Sequence, residues 1–174
     1  GGFDYKYWPA QNRSSTEYNE VRHILASRDL ADTWRYRRDP RYLEGSWKSM
    51  ERLLRFQVHD TDPPDSRLPH PPVGGMLFRY PGLPKDPAAG WGQPPAVQKL
   101  GTVAVGLLGW VAWAQASGSP DEDVRIRKMA QFTLDMLDDD GRFEPYFVPE
   151  GHPYHGNKND IVPGEAALAL GMVA

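Results

Sequence analysis

A chain of 174 residues is long enough for one domain with its own core. A formal net charge of −3, with one basic cluster at Arg35, Arg37, Arg38 and Arg41, gives no electrostatic footprint for nucleic acid. The absence of cysteine excludes disulfides, thiolate metal sites and cysteine nucleophiles. It leaves the compartment open, and an exported location, periplasmic or extracellular, is preferred to a cytoplasmic one.

The first residues are Gly1 and Gly2 with no methionine before them, which reads as a start that was processed, cleaved or left out. A first helix is predicted from about Tyr18 to Tyr36, with Val21, Ile24, Leu25, Ala31 and Trp34 near helical spacing and Thr16 in the N-cap region. Asp39-Pro40 ends it, because proline cannot continue a helix and restricts the residue before it. A second helix follows from about Arg41 to Val58, with Leu43, Trp47, Met50, Leu54 and Val58 on one stripe. Lys48, Glu51, Arg52 and Arg55 mark its wet face. From His59 to Pro95 the chain is rich in proline, and Met76-Leu77-Phe78 reads as a short strand between turns.

Val97 to Ala116 is nearly all apolar, with no charge from Leu100 to Ala114. A bilayer span wants about 20 apolar residues. This run is short and interrupted by Gly101, Gly106 and Gly109, so a buried inner helix is preferred to a membrane span. Ser119-Pro120-Asp121-Glu122 starts a fourth helix that reaches Leu137. Its apolar residues are Val124, Ile126, Met129, Phe132, Leu134, Met136 and Leu137, and Asp138-Asp139-Asp140-Gly141 closes it. A second excursion leads to a fifth helix opening at Pro163-Gly164-Glu165 and still apolar at Ala174.

The chain also repeats itself. Phe3-Asp4-x-x-Tyr7-x-Pro9 returns 140 residues later as Phe143-Glu144-x-x-Phe147-x-Pro149, and Asn19-Glu20-Val21 returns at the same offset as Asn159-Asp160-Ile161. A looser copy, Met76 to Pro81, lies midway, so the period is about 70 residues, a length that needs neighbours to bury its apolar face. The repeat units are 1–72, 73–140 and an incomplete 141–174. Inner helix, outer helix and long excursion alternate, which is the layout of an all-α helical-hairpin toroid or solenoid with short β excursions on one rim.

Tyr18-Asn19-Glu20-Val21-Arg22-His23, Asp39-Pro40-Arg41-Tyr42-Leu43-Glu44 and Pro163-Gly164-Glu165-Ala166-Ala167-Leu168 resemble the (α/α)-toroid proteins of the six-hairpin glycosidase-like kind. The resemblance implies a cleft surrounded by inner helices and rim loops, often for carbohydrate. A closed toroid at this period would take about 420 residues. The chain supplies about two and a half hairpins, so it is expected to be a segment of a longer protein or an arc completed by another subunit.

Glycoside hydrolysis usually takes two carboxyl groups. The repeat sets Asp4 with Glu144 and Glu20 with Asp160 at equivalent rim positions, and Glu165 opens the last inner helix. Glu20, Asp160 and Glu165 are therefore catalytic candidates, with capping of free helix N–H groups as the commoner role for such residues. His23 is a candidate acid–base group and Arg22 a carboxylate clamp. Tyr7, Trp8, Tyr18, Trp91, Tyr146 and Tyr154, with Tyr5 and Phe147, are candidate sugar platforms, although aromatic rings in such loops more often pin the loop to the core. His152, His155 and Asp160 lack a firm further ligand, so no metal or cofactor is expected. The expected function is a carbohydrate-active domain that binds or hydrolyses a glycan by carboxylate acid–base chemistry. The alternative is a non-catalytic accessory or scaffold subunit docked on a larger protein assembly, a membrane-associated one included.

Overall fold

The structure, a computed structural model, describes residues 3, 6–14, 19–54, 77–78, 97–120, 123–147 and 161–174. A two-stranded hairpin comes first, β1 (Tyr7–Trp8) and β2 (Arg13–Ser14), joined by a single 3-10 turn at Pro9–Gln11. Asn12 follows that turn in the left-handed region at φ 44°, a conformation asparagine tolerates better than most residues. Tyr7 pairs with Ser14 and Trp8 with Arg13.

Helix α1 spans Glu20–Arg37. Its cap is Asn19, whose side chain accepts from the Arg22 N–H at 2.9 Å, so the helix starts at Asn19 and not near Thr16. Arg38 ends it in the left-handed region at φ 55°. One residue later Asp39 accepts from the Arg41 N–H at 3.0 Å and caps α2 (Pro40–Leu53), with Pro40 in the first turn where its missing N–H costs nothing. The same Asp39-Pro40 pair thus stops one helix and starts the next.

Strand β3 (Leu77–Phe78) falls on the predicted apolar triplet, and β4 (Val97–Lys99) runs directly into α3 (Leu100–Ser117). Gly118 closes α3 at φ 69°, a conformation that favours glycine. Helix α4 (Asp123–Asp135) ends in a tight reversal. There the Asp138 carboxylate accepts from the N–H groups of Asp140 and Arg142 at 3.0 and 2.7 Å, and Gly141 turns at φ 75°. Strand β5 (Tyr146–Phe147) and helix α5 (Ile161–Val173) complete the described elements.

Helix α3 packs against all four other helices. Helices α1, α3 and α5 lie in one row with α3 in the middle; α2 rests on α1 and α3, and α4 on α3 and α5. Every residue of α3 from Leu100 to Ala112 is buried, so its lack of a polar face is explained by neighbours on all sides. By length and composition α3 could also cross a bilayer, and here 72% of it is packed inside the protein. The core gathers Ile24, Met50, Leu53, Leu107, Trp110, Met129 and Phe132 around it. Trp47, Trp110 and Trp113 form an aromatic cluster with centroids 4.8–6.4 Å apart, and the Arg125 guanidinium lies 4.4 Å over Trp110.

β3, β4 and β5 form one antiparallel sheet with β4 in the centre, pairing Phe78 with Val97 and Lys99 with Tyr146. The sheet ties both long excursions to the start of α3, where the Leu100 N–H donates to Pro145 O at 3.0 Å. The described residues thus make two helical hairpins and a fifth helix, mostly helical with two small sheets, and they do not close a ring.

Some faces differ from those the spacing predicts. The buried stripe of α1 is Glu20, His23, Ile24, Ser27 and Ala31, with Val21 and Leu25 on its flank. Ser46 and Ser49 are buried on α2, where small side chains let it settle on α1. On α4 Val124 and Leu134 are exposed, because Ile126, Met129, Ala130, Phe132 and Thr133 face the core, and Leu137, expected to close the helix, lies exposed beyond its end.

Candidate functional site

Helices α1, α3 and α5 each follow one of the β excursions, and a polar group has formed where they begin. Glu20 stands in the first turn of α1 and is 6% exposed. Its carboxylate lies 3.8 Å from the ammonium of Lys99, the N-cap residue of α3. A lysine at this pole opposes the helix dipole and makes no side-chain cap, so Glu20 offsets a charge that α3 itself disfavours. Burial pushes the Lys99 ammonium below its ordinary value, and Glu20 acts in the opposite direction.

On the other side of α3, Glu165 occupies the early part of α5. Gly101 lets it come close: a Cβ at that position would sit 3.2 Å from Val162 Cγ2 and 3.4 Å from Glu165 Oε2. Desolvation raises the Glu165 carboxyl above the usual carboxylate range. Two carboxyl groups therefore flank the start of one helix in different surroundings, one beside a cation and one with its pKa raised by burial. Tyr146, paired in register with Lys99, brings the second excursion's strand to the same place.

The other predicted residues stand elsewhere. His23 is 3% exposed in the α1–α2 interface. Its Nε2–H donates to Ser49 O at 3.0 Å and lies 2.7 Å from Ser49 Oγ. Ser27 Oγ donates to His23 O at 2.8 Å and is itself bonded to Ser49 Oγ. The backbone oxygen of Ser49 can only accept, which fixes the proton on Nε2. Burial is the main cause that lowers the His23 pKa, the Ser49 backbone bond opposes it, and Arg52 lowers it further. The ring of Phe3 meets His23 edge-on with centroids 5.2 Å apart.

Tyr7 and Trp8 are exposed on the first hairpin and engaged locally. Tyr7 OH donates to Asn12 Oδ1 at 2.9 Å, and the Arg13 guanidinium covers Trp8 at 4.7 Å. Arg22 is exposed on α1, and Glu144 is exposed after the α4 reversal. Asp4, Tyr5, Tyr18, Trp91, His152, Tyr154, His155 and Asp160, with the side chains of Tyr146 and Phe147, lie outside the described residues. Among the described residues no cluster of three or more metal-ligating side chains is found.

Sequence reasoning missed Lys99. The signal was present: a lysine directly before a long uncharged helix sits at the pole where positive charge is unfavourable, and so calls for a partner. It also missed Ser27 and Ser49, which carry no motif. The chain matches no protein-family model, no curated protein and no solved structure, so its function rests on this geometry alone.

Proposed function

We propose that the rim where α1, α3 and α5 begin is a carbohydrate site, working by carboxylate acid–base chemistry on a bound glycan, and that the five helices are an arc of an α/α toroid. The observation that carries the proposal is the unlike pair of carboxyl groups at the start of α3. Glu20, a carboxylate paired with Lys99, is suited to accept a proton or a hydrogen bond, and Glu165, with its pKa raised by desolvation, is suited to give up a proton to a leaving oxygen. The row α1–α3–α5, with α2 against α1 and α3 and α4 against α3 and α5, supports the arc. The test is a screen of the full chain against neutral and acidic oligosaccharides, for binding and for cleavage. Glu20→Gln and Glu165→Gln should each lower turnover by about 10²-fold or more while the circular dichroism spectrum is unchanged. Wild-type protein that neither binds nor cleaves any glycan sinks the proposal.

A second reading, the accessory or scaffold subunit, is favoured by α5. Its side away from α3 carries Gly164, Ala167, Leu168 and Gly171, with Leu168 54% exposed and, among the described residues, no atom within 4 Å of a Cβ built at either glycine. An apolar helix with one open side suits coverage by a partner's helix.

A further inference from the structure

A groove opens at the end of α3 away from the rim, where α4 begins and the last turn of α5 comes alongside. From Leu100 to Gln115 the distance along α3 is about 22 Å, at ~1.5 Å rise per residue, so this space is separate from the Glu20–Glu165 site. Its volume is about 450 Å³, within the range of small-molecule sites. Val111 of α3, Ile126 of α4 and Met172 and Val173 of α5 form an apolar wall. Gln115, Asp123 and Arg127 form a polar one.

Asp123 and Arg127 stand four residues apart on α4 with the acid nearer the N-terminus, the favourable order for a helical ion pair. The same spacing is closed by Glu44 and Lys48 on α2 and by Arg28 and Asp32 on α1. Here it stays open: among the described residues the side chains of Asp123, Arg127 and Gln115 make no hydrogen bond or ion pair. Two unused charges of opposite sign thus border one groove beside an apolar wall. A ligand with a single charge meets one of them and is opposed by the other, whereas a zwitterion meets both.

We propose that this groove binds an apolar α-amino acid, with its carboxylate on the Arg127 guanidinium, its ammonium on the Asp123 carboxylate and its side chain against Val111, Ile126 and Met172. The planar guanidinium matches a carboxylate through two parallel hydrogen bonds, and the Asp123 carboxylate accepts from an ammonium. Cβ atoms four residues apart on a helix are separated by about 5–6 Å, and a short aspartate and a long arginine converge from there on two charges carried by one carbon. The Gln115 amide can donate or accept at the same head group. The apolar wall selects the side chain, since each CH₂ it buries strengthens binding about fourfold.

The test is a titration of the full 174-residue chain with L-phenylalanine, followed by backbone amide NMR and by isothermal calorimetry. The expected result is saturable shifts at Gln115, Asp123 and Arg127, none at Gly101 beside the rim, and a Kd of about 1 mM or tighter. Hydrocinnamate, which lacks the ammonium, and L-phenylalaninamide, which lacks the carboxylate, should each bind about tenfold more weakly, and free glycine more weakly still. Arg127→Gln should abolish the preference for L-phenylalanine over its amide, and Asp123→Asn the preference over hydrocinnamate. Both side chains are exposed, and the two analogues decide the matter even if a variant fails to fold. No saturable shift at about 10 mM L-phenylalanine, shifts centred on Gly101, or equal binding of L-phenylalanine and its two analogues overturns the proposal. No glycan enters the experiment, so a failed carbohydrate screen leaves this result standing, and the reverse holds too.

Discussion

Gly109→Ala probes the centre of the fold. A Cβ at Gly109 would lie 3.0 Å from Ile24 Cγ2, 3.0 Å from Met50 Cε and 3.2 Å from Met50 Sδ. The methionine end can swing aside, because the thioether chain is flexible. The isoleucine methyl cannot, since a β-branched side chain in a helix has essentially one χ1 well. Relief therefore requires α1 and α3 to separate, and overpacking of this kind costs about 1–3 kcal/mol. Alanine regains up to about 1 kcal/mol over glycine in a helix interior. The net expectation is a loss of about 1 kcal/mol, or about 2–4 °C in Tm for a chain of this size. Gly171→Ala is the control. The same methyl is added on the side of α5 away from α3, with nothing within 4 Å among the described residues, and should stabilise by about 0.5 kcal/mol so near a helix end. Urea unfolding followed by helical circular dichroism, with the slope unchanged between variants, measures both. Gly109→Ala equal to or more stable than Gly171→Ala would refute close packing of α3 on α1.

Asn19→Ala should cost about 1 kcal/mol through loss of the α1 cap, and Asn19→Asp should restore most of it, read from the same urea midpoints. Thr102→Val should be neutral or stabilising by up to about 1 kcal/mol, because the buried Thr102 hydroxyl has no hydrogen-bond partner among the described residues and valine keeps its shape. Glu165 has a raised pKa in the folded state, so the stability it contributes is fully present below its unfolded value near 4.5 and is lost as pH rises through the raised value. Glu165→Gln should therefore match the wild type near pH 4 and be the more stable protein at pH 7, as thermal melts at both pH values would show.

Much of the helical content was legible because its signals are local. Asp39-Pro40 marks a helix boundary whatever surrounds it, since proline's fixed φ and missing N–H act within a few residues. The uncharged run from Leu100 announces burial, and Leu77-Phe78 announces a strand within its proline-rich surround. The start of α1, expected at about Tyr18, falls at Glu20, and the cap is Asn19 and not Thr16, because both are acceptable caps and only backbone geometry selects between them.

Facing and partnership were less legible. The inner stripe of α1 contains Glu20, His23 and Ser27, which no hydrophobic periodicity would select, because they are satisfied by Ser49 on α2 and Lys99 before α3. Likewise Gly101 and Gly109 are alike in sequence, yet one admits Glu165 and Val162 of α5 and the other Ile24 and Met50. Capping, proline geometry and apolar composition act over one or two turns, and they sufficed to place the helices and to mark α3 as enclosed. The tertiary structure alone decided that Glu20 and Glu165 flank one helix start and that His23 is buried beneath Phe3. Those facts depend on contacts between residues far apart in the chain, and on a desolvation that no local pattern records.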